Sequence, residues 1–167
     1  MEPKELLDFL HISEKLKCNT RHSYTSNWRH ESVAEHSWRL ALMALLMKDQ
    51  IPGVDMDKVL RMCLIHDLGE AITGDIPSFE KTDANERTEA KAIDGLVASL
   101  PQPLSGELAA LFAEMEARET PEARVFRPWT GWRRCSSTTR PRWKPGSPWS
   151  MSSTAPTARR TPPPIPS

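Results

Sequence analysis

Leu64-Ile65-His66-Asp67-Leu68-Gly69-Glu70 sets an imidazole beside a carboxylate, with a second carboxylate three residues on. An imidazole nitrogen and a carboxylate oxygen together suit a divalent metal of borderline hardness. Adjacent residues on one helix point about 100° apart. His66 and Asp67 can therefore reach one ion only at a helix end, or where a helix meets a cleft. The apolar Met62-Cys63-Leu64-Ile65 just before them puts the pair at the edge of a core. A His-Asp dipeptide alone says little. Its surroundings give it weight: Glu70, then Thr73-Gly74-Asp75, and an upstream helix that carries His36.

That upstream helix opens on Ser32-Val33-Ala34-Glu35, a capping-box pattern. It is expected to run to about Lys48, with Val33, Leu40, Met43, Ala44 and Met47 at helical spacing, and to stop at Ile51-Pro52-Gly53. His36 lies in its second turn. A lone histidine there is ordinarily a core residue, but the metal-type cluster thirty residues on favours a ligand. Asp55 or Asp57 caps a third helix through Val59, Leu60, Cys63 and Leu64 to His66-Asp67. Two antiparallel helices joined by a short turn place the start of one beside the end of the other, so His36 and His66 can meet.

The rest of the body reads as further helix. Residues 4–17 are amphipathic, with Leu6, Leu7 and Leu10 on one side. Residues 18–31 are polar and read as an irregular loop, the kind of segment that carries binding groups. Arg21 within it could fork onto phosphate oxygens, although the residues alone favour a solvated arginine. His11, His22, His30 and Trp28 receive no role. Residues 73–77 form a loop beside the cluster. Thr82 or Asp83 caps a helix to about Leu100, and another spans 104–118. No strand alternation is visible, so the class is all-α, a helical bundle.

Composition bounds the function. Up to Glu122 there are 13 Lys/Arg and 22 Asp/Glu, a net of −9; from Ala123 onward nine Arg/Lys stand with no acid. Three cysteines in no metal-type spacing imply a reducing, cytoplasmic setting. The charged N-terminus shows no secretory signal, and the longest apolar run, 40–47, is too short for a bilayer.

From Phe126 the texture changes, dividing the chain into a body, 1–125, and a tail, 126–167. Residues 123–167 hold nine prolines and four tryptophans in a Ser/Thr/Pro/Arg background. Such a composition reads as a disordered basic tail, yet disordered tails are poor in aromatics. The tail is instead expected to be translated out of frame. Trp129-Thr130, TGG-ACN, read from its third base spells GAC, an aspartate; Trp143-Lys144, TGG-AAR, spells GAA, a glutamate. Loss of one base near the codon of Arg127 would produce this.

Taken together, Glu-Ser-Val-Ala-Glu-His-Ser (31–37) and His-Asp-Leu-Gly-Glu-Ala-Ile-Thr-Gly-Asp (66–75) resemble the HD-domain metal-dependent phosphohydrolases, within them the small helical 5′-deoxynucleotidases. The resemblance covers about residues 4–125. It implies metal ligands His36, His66 and Asp67, with Glu70 holding or deprotonating the attacking water. Asp75 would contact the nucleotide sugar and Arg21 the phosphate. The family carries a Trp where this chain has His22. It implies one divalent ion (Mn, Co, Fe, Ni, Zn or Mg) and a nucleotide substrate, and allows a homodimer; the short apolar run leaves no membrane partner expected. No histidine follows His66, which argues against a binuclear site. The family's fourth ligand is an aspartate on a later helix. No acid follows Glu122 here, and the shifted frame puts an aspartate at Thr130; as written, the site is expected to be impaired. Two other classes stay open: an inactive helical interaction module, and nucleic-acid binding through the basic tail, which the acidic body disfavours.

Overall fold

A computed structural model describes residues 1–77 and 80–130. The basic, tryptophan-rich stretch 131–167 lies outside these residues, and with it most of the segment expected to be out of frame. The elements are α1 (Pro3–Ser13), a 3₁₀ turn (Glu14–Lys17), β1 (Thr20–Tyr24), β2 (His30–Ser32), α2 (Val33–Leu46), α3 (Met56–Ile65), α4 (Glu70–Thr73), α5 (Asp83–Ala98), α6 (Leu104–Ala117) and α7 (Pro121–Thr130). The all-α class holds, with one addition. The polar stretch 18–31, expected as irregular loop, folds into an antiparallel hairpin with Thr20 opposite Ser32 and Tyr24 opposite His30. Strands of five and three residues with an irregular register offer no alternation to read.

Capping chemistry fixes the helix starts. The Ser32 hydroxyl accepts from the Glu35 amide, and the Glu35 carboxylate accepts from the Ser32 amide, which completes the capping box of α2. Asp55 accepts from the Lys58 amide at the start of α3. Glu122 of α7 accepts from the Asp55 amide at 2.9 Å and faces Lys58, so α7 is fastened to the head of α3. The helical body thus extends past the change of composition at Phe126, whose ring is buried in the core.

Among the described residues two apolar clusters form. The larger joins Leu40, Ala41 and Ala44 of α2, Met56, Val59, Met62 and Cys63 of α3, Leu111 of α6 and Phe126 of α7. The smaller joins Leu16, Val33, Leu68 and Ala71. Complete burial of side chains such as Val59 or Met62 contributes about 2 kcal/mol each. His36 stands between Val33 of the small cluster and Leu40 of the large one; His66-Asp67 stands between Cys63 and Leu68 in the same way. The polar residues therefore occupy the seam between two cores. Gly69 lets α5 approach there: a Cβ on it would lie 2.7 Å from Glu89 Cγ and 2.9 Å from Ile93 Cγ1. Outside the core, Trp38, Leu42, Leu45 and Leu46 leave an apolar stripe of α2 exposed. No helix among the described residues is long and apolar enough to cross a membrane.

Candidate metal centre

His66 and Asp67 sit in the turn that follows α3, at a helix end as the geometry of adjacent residues requires. His36 reaches them from the first turns of α2. The two imidazole centroids are 5.5 Å apart. One donor atom from each of His36, His66 and Asp67 can be chosen so that all lie within 4.8 Å of one another.

The tautomer of His66 decides what this cluster accepts. Its Nδ1 lies 2.9 Å from the Cys63 carbonyl oxygen. A carbonyl only accepts, so Nδ1 carries the hydrogen. In the neutral ring, Nε2 then presents a lone pair, and it faces Asp67 Oδ2 at 3.1 Å. Two acceptors at that distance need a cation between them, either a proton on the imidazole or a metal ion. The separation also suits neighbouring ligands of one ion, which lie about 3 Å apart when each bond is about 2.1 Å. The donor set therefore fits a divalent ion with two imidazoles and one carboxylate.

Around this triad the hairpin and α4 bring the other expected residues. Arg21 is 2% exposed, which overturns the solvated arginine that the residues alone favour. Its Nη1 donates to Asp67 Oδ2 at 2.8 Å and lies 4.0 Å from Glu70 Oε2 and 3.9 Å from Asp75 Oδ1. Among the described residues, Arg21 Nε, Glu70 Oε2 and Asp75 Oδ1 are buried without a hydrogen-bond partner. All six residues singled out in the sequence thus meet in one place. Gly74, at φ +79°, makes the turn that carries Asp75 back to the cluster.

Charge follows the packing. Burial, with Asp67 and Asp75 nearby, pushes the Glu70 carboxyl up to about 9. Burial also raises the Asp67 carboxyl, but His66, Arg21 and His36 outweigh it and hold it below the ordinary range. Burial drives the Cys63 thiol up to about 12, so it is an inert core residue rather than a nucleophile.

Sequence reasoning missed three supporting residues. The Asn19 side chain donates to the Glu70 carbonyl across 51 residues, a link no local pattern announces. His30 Nδ1 bonds the Arg21 carbonyl at 2.8 Å and so steadies β1, and the ring packs on Tyr24. Phe126 sets its ring edge-on to His66, with centroids 5.5 Å apart. The signal for Phe126 was present, since it follows Glu122 at helical spacing, but the compositional break obscured it.

The HD-domain family matches residues 13–130. Among curated proteins, the 5′-deoxynucleotidase HDDC2 of Bos taurus is 35% identical over 128 residues, covering 74% of this chain and 62% of the relative. The 5′-deoxynucleotidase hdd1 of Schizosaccharomyces pombe is 32% identical over 130 residues, covering 73% and 65%. The chain spans a little over three-fifths of the length of these relatives. Among solved structures, a predicted metal-dependent phosphohydrolase from Magnetospirillum magnetotacticum superposes with a TM-score of 0.68 at 36% identity, covering 76% of this chain and 65% of that one. A conserved hypothetical protein from Pyrococcus furiosus superposes with a TM-score of 0.61 at 29% identity, covering 76% of both. The matched span runs from the end of α1 to the end of α7 and takes in every residue of the His/Asp cluster, and on that span the chain belongs to the HD-domain family.

Proposed function

We propose that this chain is a metal-dependent phosphomonoesterase of (deoxy)nucleoside 5′-monophosphates, with His36, His66 and Asp67 as ligands of one divalent ion. The convergence of their donor atoms on the seam between the two cores carries this reading. The 5′-deoxynucleotidase names of its relatives support the substrate class. Bound there, such an ion would supply Lewis-acid polarisation of a phosphoryl oxygen and an acidified water.

The chain's own residues do the rest. Arg21 supplies a planar fork of donors to the phosphate, and its Nε has no hydrogen-bond partner among the described residues. Glu70 holds the attacking water and takes its proton. Raised to about 9 it is protonated at neutral pH; it becomes an acceptor only when cation charge offsets Asp67 and Asp75. The unpartnered Oδ1 of Asp75 is available to a sugar hydroxyl. Burial of the group excludes water and strengthens each of these contacts.

The site as written is short of one ligand. Position 130 lies one helical turn past Phe126, on the same face of α7, and Phe126 packs on His66. The Thr130 hydroxyl there bonds its own helix, to the Arg127 carbonyl. An aspartate at 130, which the shifted frame spells, would reach toward the cluster. The coding DNA tests the frame: without an open helical continuation, the shift is excluded.

The decisive assay is phosphate release from dAMP, dGMP or dTMP with added Mn or Co, for the chain and for Thr130→Asp. Weak release that rises in Thr130→Asp is expected. No release from either protein, with metal bound, would sink the nucleotidase reading and leave a helical interaction module.

A further inference from the structure

We propose that Arg21 is a tethered counter-cation of the metal centre. Its guanidinium and a divalent ion draw on the same Asp67 Oδ2, so each weakens the other's hold on that oxygen, and an arriving ion loosens Arg21 for the phosphate. The inference rests on the metal-site reading above and adds this coupling to it.

The geometry is specific. Asp67 Oδ2 is the oxygen that lies 3.1 Å from His66 Nε2, the position a shared ion requires. The same oxygen accepts from Arg21 Nη1 at 2.8 Å. An ion bound between His66 and Asp67 would therefore stand within a few ångströms of a guanidinium that solvent hardly reaches, with little water to screen the repulsion. Meanwhile Arg21 lies in ion-pair range of Glu70 and Asp75 as well, so it offsets in part the charge of the acids gathered there. Its present seat is incomplete, because Nε is buried without an acceptor. A phosphate oxygen would fill that vacancy. Arg21 thus holds the acids of the site together, and an ion on Asp67 would loosen that hold and turn the fork toward substrate. By linkage, whatever the guanidinium contributes to Asp67 it subtracts from metal affinity.

The test is calorimetric titration of the full chain with Mn²⁺, for the natural sequence, Arg21→Gln and Arg21→Lys, each with and without His66→Ala. Arg21→Gln is expected to bind roughly tenfold tighter or more, as removal of one positive charge a few ångströms from a divalent ion implies. Arg21→Lys, which lacks the fork and keeps the charge, should fall between. His66→Ala should abolish binding in every background, which locates the ion. A merely structural arginine predicts the opposite, looser binding on its removal. Equal or weaker affinity in Arg21→Gln overturns the proposal and leaves the metal site standing. No saturable binding in any of them overturns both. Should Arg21→Gln fail to fold, the ¹⁵N–¹H signal of Arg21 Nε in the natural chain decides: it should shift on addition of diamagnetic Zn²⁺, and an unmoved signal with zinc bound refutes the coupling.

Discussion

Replacing Phe126 with alanine removes a ring that is 4% exposed and belongs to the larger core. It also strips His66 of its edge-on neighbour. Loss of a buried phenylalanine costs about 3–5 kcal/mol, from lost transfer energy and the cavity left behind. For a domain of this size, about 3 °C per kcal/mol gives a fall in melting temperature of about 10 °C or more. Phe126→Leu keeps most of the volume and should cost about 1 kcal/mol. Both variants lose the ring–imidazole contact, worth about 1 kcal/mol, so both should bind metal several-fold more weakly. Urea unfolding at constant slope, with metal titration on the same preparations, checks both effects. A loss below about 1 kcal/mol for Phe126→Ala would mean that α7 is not part of the core. It would also remove the structural basis for a ligand at position 130.

Gly69→Ala should destabilise by about 1–3 kcal/mol, because its Cβ would run into Glu89 and Ile93; thermal unfolding reads this directly. Ser32→Ala breaks the capping box of the helix that carries His36 and should cost about 1 kcal/mol in urea unfolding. Hydrogen bonds from Arg29 hold the Glu35 carboxyl down at about 2, against 4.5 for the unperturbed group. A depressed carboxyl stabilises above its unfolded value, so stability should fall as pH drops from about 4.5 toward 2. Salt should weaken the effect, since the pair is half exposed. Glu35→Gln should flatten that limb in acid unfolding. Glu70 has the opposite sign: raised to about 9, it makes the metal-free protein lose stability as pH rises from about 4.5 to 9. Glu70→Gln should remove that slope.

Much of the fold was legible because α2, α3, α5 and α6 carry apolar residues at helical spacing, the first three with capping residues ahead of them. The His36 and His66-Asp67 juxtaposition was legible for the same reason, since antiparallel neighbours with a short link bring opposite ends together. The hairpin was not legible. Thr20–Tyr24 and His30–Ser32 are short and polar, and an inward residue such as Arg21 resembles a surface one. The burial of Arg21 depends on three acids from elsewhere in the chain, at Asp67, Glu70 and Asp75, which no local window contains. α7 was hidden for another reason. Arg127, Pro128 and Trp129 change the composition while the backbone is still helical and Phe126 still faces inward.

The central claim is that one imidazole of α2 and the imidazole–carboxylate couple after α3 hold a single cation. Mn²⁺ binding measured by electron paramagnetic resonance during equilibrium dialysis tests it most directly. One ion per chain is expected, lost in His36→Ala and in His66→Ala and strongly weakened in Asp67→Asn. Binding of the same stoichiometry and strength in all three variants, or none in the natural chain, would contradict the account.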